Sequence, residues 1–270
     1  MRPLRRVIGA PLQRHHYHAL SNMARVQPSF ARNLGRYLTG RGSYPYECAI
    51  RTPLGLVRPV LYSHHDLLTV TEIFCREDYV AGPETSVVVD VGSNLGISAL
   101  YFLTRSENVR CYLYEPDLRN VDRLRRNLSG FDDRYELHDQ AVADFDGWAD
   151  FGADASGRYG AIGREAETII SVRCRHIDDV LRDVLDCHNR ISILKIDTEG
   201  SEWATINAID EPLLTRIDAV YLETDVDEPF RRDLFEQERR AGVRILRRQG
   251  RNNAIGADPD ETPFPTVTRS

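Results

Sequence analysis

Lysine is almost absent. Of the 35 basic residues in this chain of 270, Lys195 is the one lysine and the other 34 are arginine. So lopsided a ratio reads as a genome-wide codon bias, which makes Lys195 a position to watch. Disulfide-forming patterns are lacking too. Cys48, Cys75, Cys111, Cys174 and Cys187 are odd in number, scattered and without a C-x-x-C, which excludes a disulfide framework or a zinc site and fits a reducing cytoplasm. No apolar run reaches membrane-spanning length, so no transmembrane segment is expected. The N-terminal stretch has arginines but no apolar h-region, which argues against a secretory signal. A basic surplus is missing as well. The net charge of -6 and a pI near 5.8 lower the weight of a nucleic-acid partner.

What charge there is lies unevenly. Residues 1–46 hold eight arginines and no acid, leaving 27 bases against 41 acids, a net of -14, in the remainder. Such an arm suits its own acidic body or the partner subunit of a homodimer. A membrane surface, a polyanion or an organellar transit function are the other readings. Pro3, Pro11 and Pro28 argue against one long helix there. The chain divides by pattern into a basic helical arm (1–46), a hairpin and helix cap (47–82), a main domain (83–250) and a tail (251–270).

Residues 12–40 read as one or two short helices, 47–62 as two strands around Pro53-Leu54-Gly55, and 65–79 as a helix. Strands and helices then alternate. Strands are expected at Ser86–Val91, Val109–Tyr114, Tyr135–Val142, Thr168–Arg173, Ile191–Ile196, Ala219–Glu223 and Val243–Leu246. Helices are expected at Leu95–Leu103, Asp117–Leu128, Ile177–Leu185, Ser201–Ile209 and Pro229–Ala241. Residues 144–164 read as a hairpin or mobile loop, with 152–163 a candidate lid over the acceptor. Repeated βα units predict a doubly wound parallel α/β sheet that binds ligands beyond the carboxyl ends of its strands.

Three strand ends carry the chemistry. The first ends Asp90-Val91-Gly92-Ser93-Asn94-Leu95-Gly96. A glycine leaving a buried strand permits close backbone approach to a ligand. The spacing is neither the Gly-x-Gly of a dinucleotide fold nor a P-loop. The second ends Tyr114-Glu115-Pro116, with Glu115 placed to accept hydrogen bonds from ribose hydroxyls, while Asp117 can serve the helix N-terminus instead. Asp139, ending the third strand, is a weaker candidate near adenine. The later strand ends Lys195-Ile196-Asp197-Thr198-Glu199-Gly200-Ser201-Glu202, with Lys195 and Asp197 on one face. Lys195 can form a structural salt bridge, hold an acid ionised or, desolvated, act as a base. Glu223 ends the neighbouring strand. Asp197, Glu199 and Glu223 are candidate bases, and three carboxylates also suit a divalent cation such as magnesium. His64, His65 and His138 are alternative bases.

Asp90–Gly96, Tyr114-Glu115-Pro116 and especially Leu194–Glu202 resemble the FkbM-type S-adenosylmethionine-dependent methyltransferases. Asp66–Val70 with Glu72-Ile73-Phe74 and Tyr79, and Ile177–Leu181, fit the same family over about residues 47–225. The resemblance implies a Rossmann-like class I methyltransferase sheet of about seven strands and methyl transfer to a hydroxyl oxygen. Family acceptors include sugar and macrolide hydroxyls, so a small-molecule hydroxyl acceptor of secondary metabolism is expected. The family usually has Ala or Cys where this chain has Ser93. On this reading Gly92, Ser93, Asn94, Gly96, Asp90, Glu115, Pro116 and Asp139 serve S-adenosyl-L-methionine, and Lys195, Asp197, Glu199 and Glu223 the chemistry. The competing readings are a non-catalytic adenosine-ligand-binding or assembly subunit, a nicotinamide oxidoreductase and a nucleic-acid methyltransferase.

Overall fold

The computed structural model describes residues 14–153, 160–164, 168–224, 226, 228–231, 233–240 and 242–249. Residues 1–13 of the basic arm, 154–159 of the candidate lid and the tail (251–270) lie outside these residues. The chain divides into two units between Asp78 and Tyr79.

The first unit holds α1 (Arg14–Val26) and α2 (Phe30–Thr39), the latter stopped by Gly40 in the left-handed conformation. Strand β1 (Tyr46–Glu47) pairs antiparallel with β4 (Val60–Leu61), and β2 (Ile50–Thr52) with β3 (Gly55–Val57) around the expected turn. Helix α3 (His64–Val70) opens with a reciprocal Ser63–Asp66 capping box. The single helix expected over 65–79 is shorter than that. From Thr71 to Cys75 the backbone widens into a π-helical turn, then leaves helical form.

The second unit alternates as the sequence predicts. It runs β5 (Val87–Val91), α4 (Ile97–Leu103), β6 (Arg110–Tyr114), α5 (Leu118–Asn127) and β7 (Tyr135–His138). After an inserted β8 (Ala141–Ala143), β9 (Gly147–Ala153), β10 (Ala161–Ile162) and β11 (Thr168–His176), it continues with α6 (Ile177–Cys187), β12 (Ile191–Ile196), α7 (Glu202–Asn207), α8 (Glu211–Leu214), β13 (Ile217–Glu223), β14 (Phe235–Arg240) and β15 (Val243–Arg248). The main sheet has the order β14-β15-β13-β12-β5-β6-β7. Strands β13, β12, β5, β6 and β7 are parallel, whereas β15 runs antiparallel to both its neighbours. The sheet is therefore mixed, not wholly parallel.

Two further expectations change. The segment Pro229–Ala241 is not a helix. Its second half is edge strand β14, because pairing with β15 satisfies a backbone that exposed, charge-rich side chains could not bury as a helix face. Tyr135–Val142 is two strands. The chain breaks at Asp139-Gln140, and β8 pairs in parallel with β11 in a separate four-stranded sheet.

On one face of the main sheet Ile177, Val180, Leu181 and Val184 of α6 and Trp203 and Ile206 of α7 pack on Val89, Leu194 and Val220. Helix α4 is buried along its whole length, which suits its short, almost wholly apolar sequence. The chain moves outward from β5 to β7 and then returns to the other side of β5 as β12. The carboxyl ends of β5 and β12 thus form the topological switch point, where open α/β sheets bind ligands.

Candidate functional site

Register brings the two key strands together. Asp90 lies opposite Lys195 and Val91 opposite Ile196, so Gly92 and Asp197 leave the sheet side by side. The Asp197 amide donates to the Val91 carbonyl at 3.1 Å. The Lys195 side chain is 2% exposed, and its Nζ lies 2.9 Å from Asp90 Oδ1, 2.9 Å from the Gly92 carbonyl and 3.4 Å from Asp197 Oδ2. Nζ thus donates two hydrogen bonds, to Asp90 and the Gly92 carbonyl, and is ion-paired with Asp197 as well. The second Asp90 oxygen accepts from Ser98 Oγ at 2.6 Å. Burial by itself lowers the Lys195 pKa, but Asp90, Asp197 and Glu223 together raise it above the usual lysine value. Lys195 therefore keeps its proton at neutral pH. Of the roles open to it, this geometry is a buried ion pair that ties β5 to β12, not a base.

The loop after β5 is shaped by backbone that favours glycine. Gly92 has φ +77°, and a Cβ there would collide with the Asp197 carbonyl oxygen. The amides of Gly92 and Ser93 both donate to the Tyr114 carbonyl at 3.0 Å, joining this loop to the end of β6. Ser93 is buried, with its hydroxyl satisfied by the Asp90 carbonyl at 2.7 Å. Asn94 adopts φ +49° and Gly96 φ +84°, directly before α4.

Glu115 follows β6 and is 4% exposed. It accepts from the Asn94 amide at 2.8 Å, the Asp117 amide at 2.9 Å and Asn120 Nδ2 at 3.4 Å. It makes no ion pair among the described residues. Burial pushes its pKa up to about 7, against the lowering effect of the Asp117 and Asn94 amides. Pro116 is half-buried, and Asp117 caps α5 by accepting the Arg119 amide at 2.9 Å. Asp117 caps the helix with its side chain, which leaves Glu115 outside the cap. His138 ends β7 with its ring stacked on Tyr114 at 4.7 Å, and Asp139 stands exposed just beyond.

The K-I-D-T-E-G-S-E element divides its acids between tasks. Asp197 keeps a quarter of its side chain open to solvent (25%). Burial raises its pKa, Lys195 opposes the shift, and Glu202 and Asp90 add to it. Glu199 is exposed, at φ +57°. Glu202 is buried and folds the loop back on itself, accepting the Thr198 amide at 3.0 Å and the Gly200 amide at 2.8 Å. Glu223 ends β13, exposed, with one oxygen accepting from the Tyr79 hydroxyl. Among the described residues no three carboxylate, imidazole or thiol groups are arranged to hold a metal ion. Of the three acids named for a cation, Asp197 lies beside Lys195, Glu223 accepts from Tyr79 and Glu199 is exposed. His64 and His65 open α3 in the first unit.

Ser98, Asn120 and Tyr79 belong to these networks and were not singled out as site residues. Asn120 had a signal, a polar side chain on the buried stripe of an amphipathic helix. Ser98 had none without the tertiary pairing that brings it to Asp90; Tyr79 stood only within the family resemblance, with no sign of its link to Glu223.

A family model described as the methyltransferase FkbM domain matches residues 90–250. A curated relative, the AMB antimetabolite synthetase AmbE of Pseudomonas aeruginosa, is 27% identical over 192 residues; the match covers 57% of this chain and 9% of that protein. Among solved structures, a methyltransferase from Geobacter sulfurreducens aligns with TM-score 0.36 at 18% identity, covering 60% of this chain and 70% of the other. A putative caffeoyl-CoA O-methyltransferase from Staphylococcus aureus aligns with TM-score 0.37 at 11% identity, covering 70% and 85%. The N-terminal domain of human METTL16 in complex with SAH aligns with TM-score 0.35 at 10% identity, covering 67% of each chain.

Proposed function

The chain belongs to the methyltransferase FkbM family and has a class I methyltransferase fold, and from that premise we propose that it methylates a hydroxyl oxygen of a small molecule with S-adenosylmethionine. The observation that carries the reading is Glu115: a buried carboxylate with no cation paired to it among the described residues, next to a glycine loop at the end of the central strand. Such a group suits a neutral partner with two hydroxyl donors, which a ribose is. The residues fit the ligand in their chemistry. Glu115 offers acceptors only, and Gly92–Gly96 offers a backbone turn that side chains would obstruct. Bound there, S-adenosylmethionine supplies an activated methyl group on a sulfonium centre. Asp139 is the candidate contact near adenine.

Asp90, Lys195 and Ser98 keep the two strand ends in register beneath this site. Asp197 and Glu223 end adjacent strands on one face, where Leu222 pairs with Ile196. Asp197, whose proton affinity burial has raised, takes the acceptor's hydroxyl proton. Glu223 orients that hydroxyl, and Glu199 is the third carboxylate of the rim. The 27% identical match to a stretch of an antimetabolite synthetase supports a secondary-metabolite acceptor over a macromolecular one, and sugar or polyketide hydroxyls are the acceptors that the family resemblance implies. No described helix is long and apolar enough to cross a membrane.

The test has two stages. Calorimetric titration with S-adenosylmethionine is expected to show one site per chain. Methyl-labelled S-adenosylmethionine is then incubated with the protein and a panel of methyl glycosides and hydroxylated polyketides, and the product is treated with alkali. An alkali-stable labelled ether supports the proposal. Binding without transfer to any hydroxyl would return the chain to the non-catalytic reading, and absence of binding would sink both.

A further inference from the structure

Tyr79 is fully buried (0% exposed), and its ring lies between Phe102 at 5.7 Å and Tyr221 at 5.8 Å, nearly parallel to both. Its backbone is held as firmly. The Tyr101 hydroxyl donates to the Tyr79 carbonyl at 3.0 Å, and the Tyr221 hydroxyl donates to the next carbonyl, of Val80. The one polar atom of the Tyr79 side chain donates to Glu223 Oε1. A rigid, buried donor thus grips the carboxylate of an exposed glutamate at the end of β13, next to Asp197.

That arrangement has a cost with no return in packing. Fixing a glutamate side chain costs rotamer freedom. A phenylalanine would fill the same slot between Phe102 and Tyr221 without a hydroxyl that needs a partner. What the hydroxyl adds is a carboxylate with a defined place. Burial, and then the Glu223 and Asp197 carboxylates, keep the phenol well above its usual pKa, so it remains a donor.

We propose that Tyr79 is a positioning residue that holds the Glu223 carboxylate at the strand ends, where it aligns the acceptor hydroxyl for methyl transfer. The inference rests on the hydroxyl-methylation reading of this site. Placement within a few tenths of an ångström is what an in-line displacement demands, so the hydroxyl acts through the geometry of Glu223.

The test is Tyr79→Phe, which keeps the stacking and both backbone hydrogen bonds. Its melting temperature and S-adenosylmethionine Kd should stay within error of the wild type. In protein labelled with carboxyl-¹³C glutamate, with the Glu223 resonance assigned through Glu223→Gln, that resonance should shift in Tyr79→Phe. With an acceptor from the panel, kcat/KM for the acceptor should fall about tenfold while KM for S-adenosylmethionine is unchanged. An unmoved Glu223 resonance, or wild-type kcat/KM in the variant, overturns the proposal. If the wild type methylates no panel member, hydroxyl methylation fails as a reading. The ¹³C arm then decides alone whether Tyr79 holds Glu223.

Discussion

Two buried acids stand at neighbouring strand ends and are treated in opposite ways. Asp90 is 0% exposed and fully answered: Lys195 takes one oxygen and Ser98 the other. Glu115 is 4% exposed and has only amide donors, with no cation among the described residues. The first arrangement holds the structure together, since charge is cancelled within it. The second leaves charge uncancelled, and burial shows the strain by pushing the pKa to about 7. On the proposed reading a ribose supplies further donors to Glu115, so the contrast would set a scaffold acid beside a binding acid within one row of strand ends.

The sharpest way to break the contrast is Lys195→Met. Removing the cation leaves Asp90 buried without its partner, and loss of one member of a buried pair costs about 3–5 kcal/mol. Urea denaturation should show that loss, and a drop below 1 kcal/mol would mean that Asp90 is not charge-compensated by Lys195. Lys195→Arg should also impair cofactor binding or turnover, because a planar fork does not match three acceptors arranged around one nitrogen. Glu115→Ala should behave in the reverse sense. Hydrogen bonds to a charged group contribute about 1.5–3 kcal/mol, so the S-adenosylmethionine Kd should rise at least tenfold, measured by calorimetry. Fold stability should fall far less than in Lys195→Met.

A pH series sharpens the same point. The free protein keeps the Glu115 proton up to about pH 7, whereas an unfolded chain loses it near 4.5. Between those values the native state binds more protons, so this group lowers stability as pH rises, by about 3 kcal/mol once both states are ionised. A ribose diol favours the ionised form. The Kd for S-adenosylmethionine should therefore weaken as pH falls below 7, by up to tenfold per unit, and Glu115→Gln should flatten that slope. The smallest effect is expected at Ser93→Ala. Its buried hydroxyl makes one bond to a carbonyl, so the loss should stay near 1 kcal/mol with Kd unchanged.

Much of the fold was legible because its signals are local. The β-branched run Val87–Val91 has only a buried strand open to it, and Asp117 announces the helix it caps. The errors fell where two local signals compete. The segment 229–241 carries enough charge to read as an exposed helix, and only its pairing with β15 makes it a strand. The break after His138 is likewise set by β11, whose paired residues lie 33 positions further along the chain than those of β8 (174 against 141). At the site, glycine spacing and the acids at strand ends were visible as residue types. Which acid is paired was not, because Lys195 and Asp90 are 105 positions apart and meet only across the β5–β12 register.

By itself, the sequence determined the alternation of strands and helices, the family resemblance and the set of residues gathered beyond the strand ends. The alternation and the placing of those residues follow from periodicity and spacing, which are properties of neighbours along the chain, whereas the resemblance rests on the motifs themselves. Tertiary structure alone decided that the solitary lysine pairs with Asp90 and Asp197, and that Tyr79 reaches Glu223. Charge state and hydrogen-bond saturation depend on what the fold brings within about 3 Å of an atom, and no pattern along the chain carries that distance.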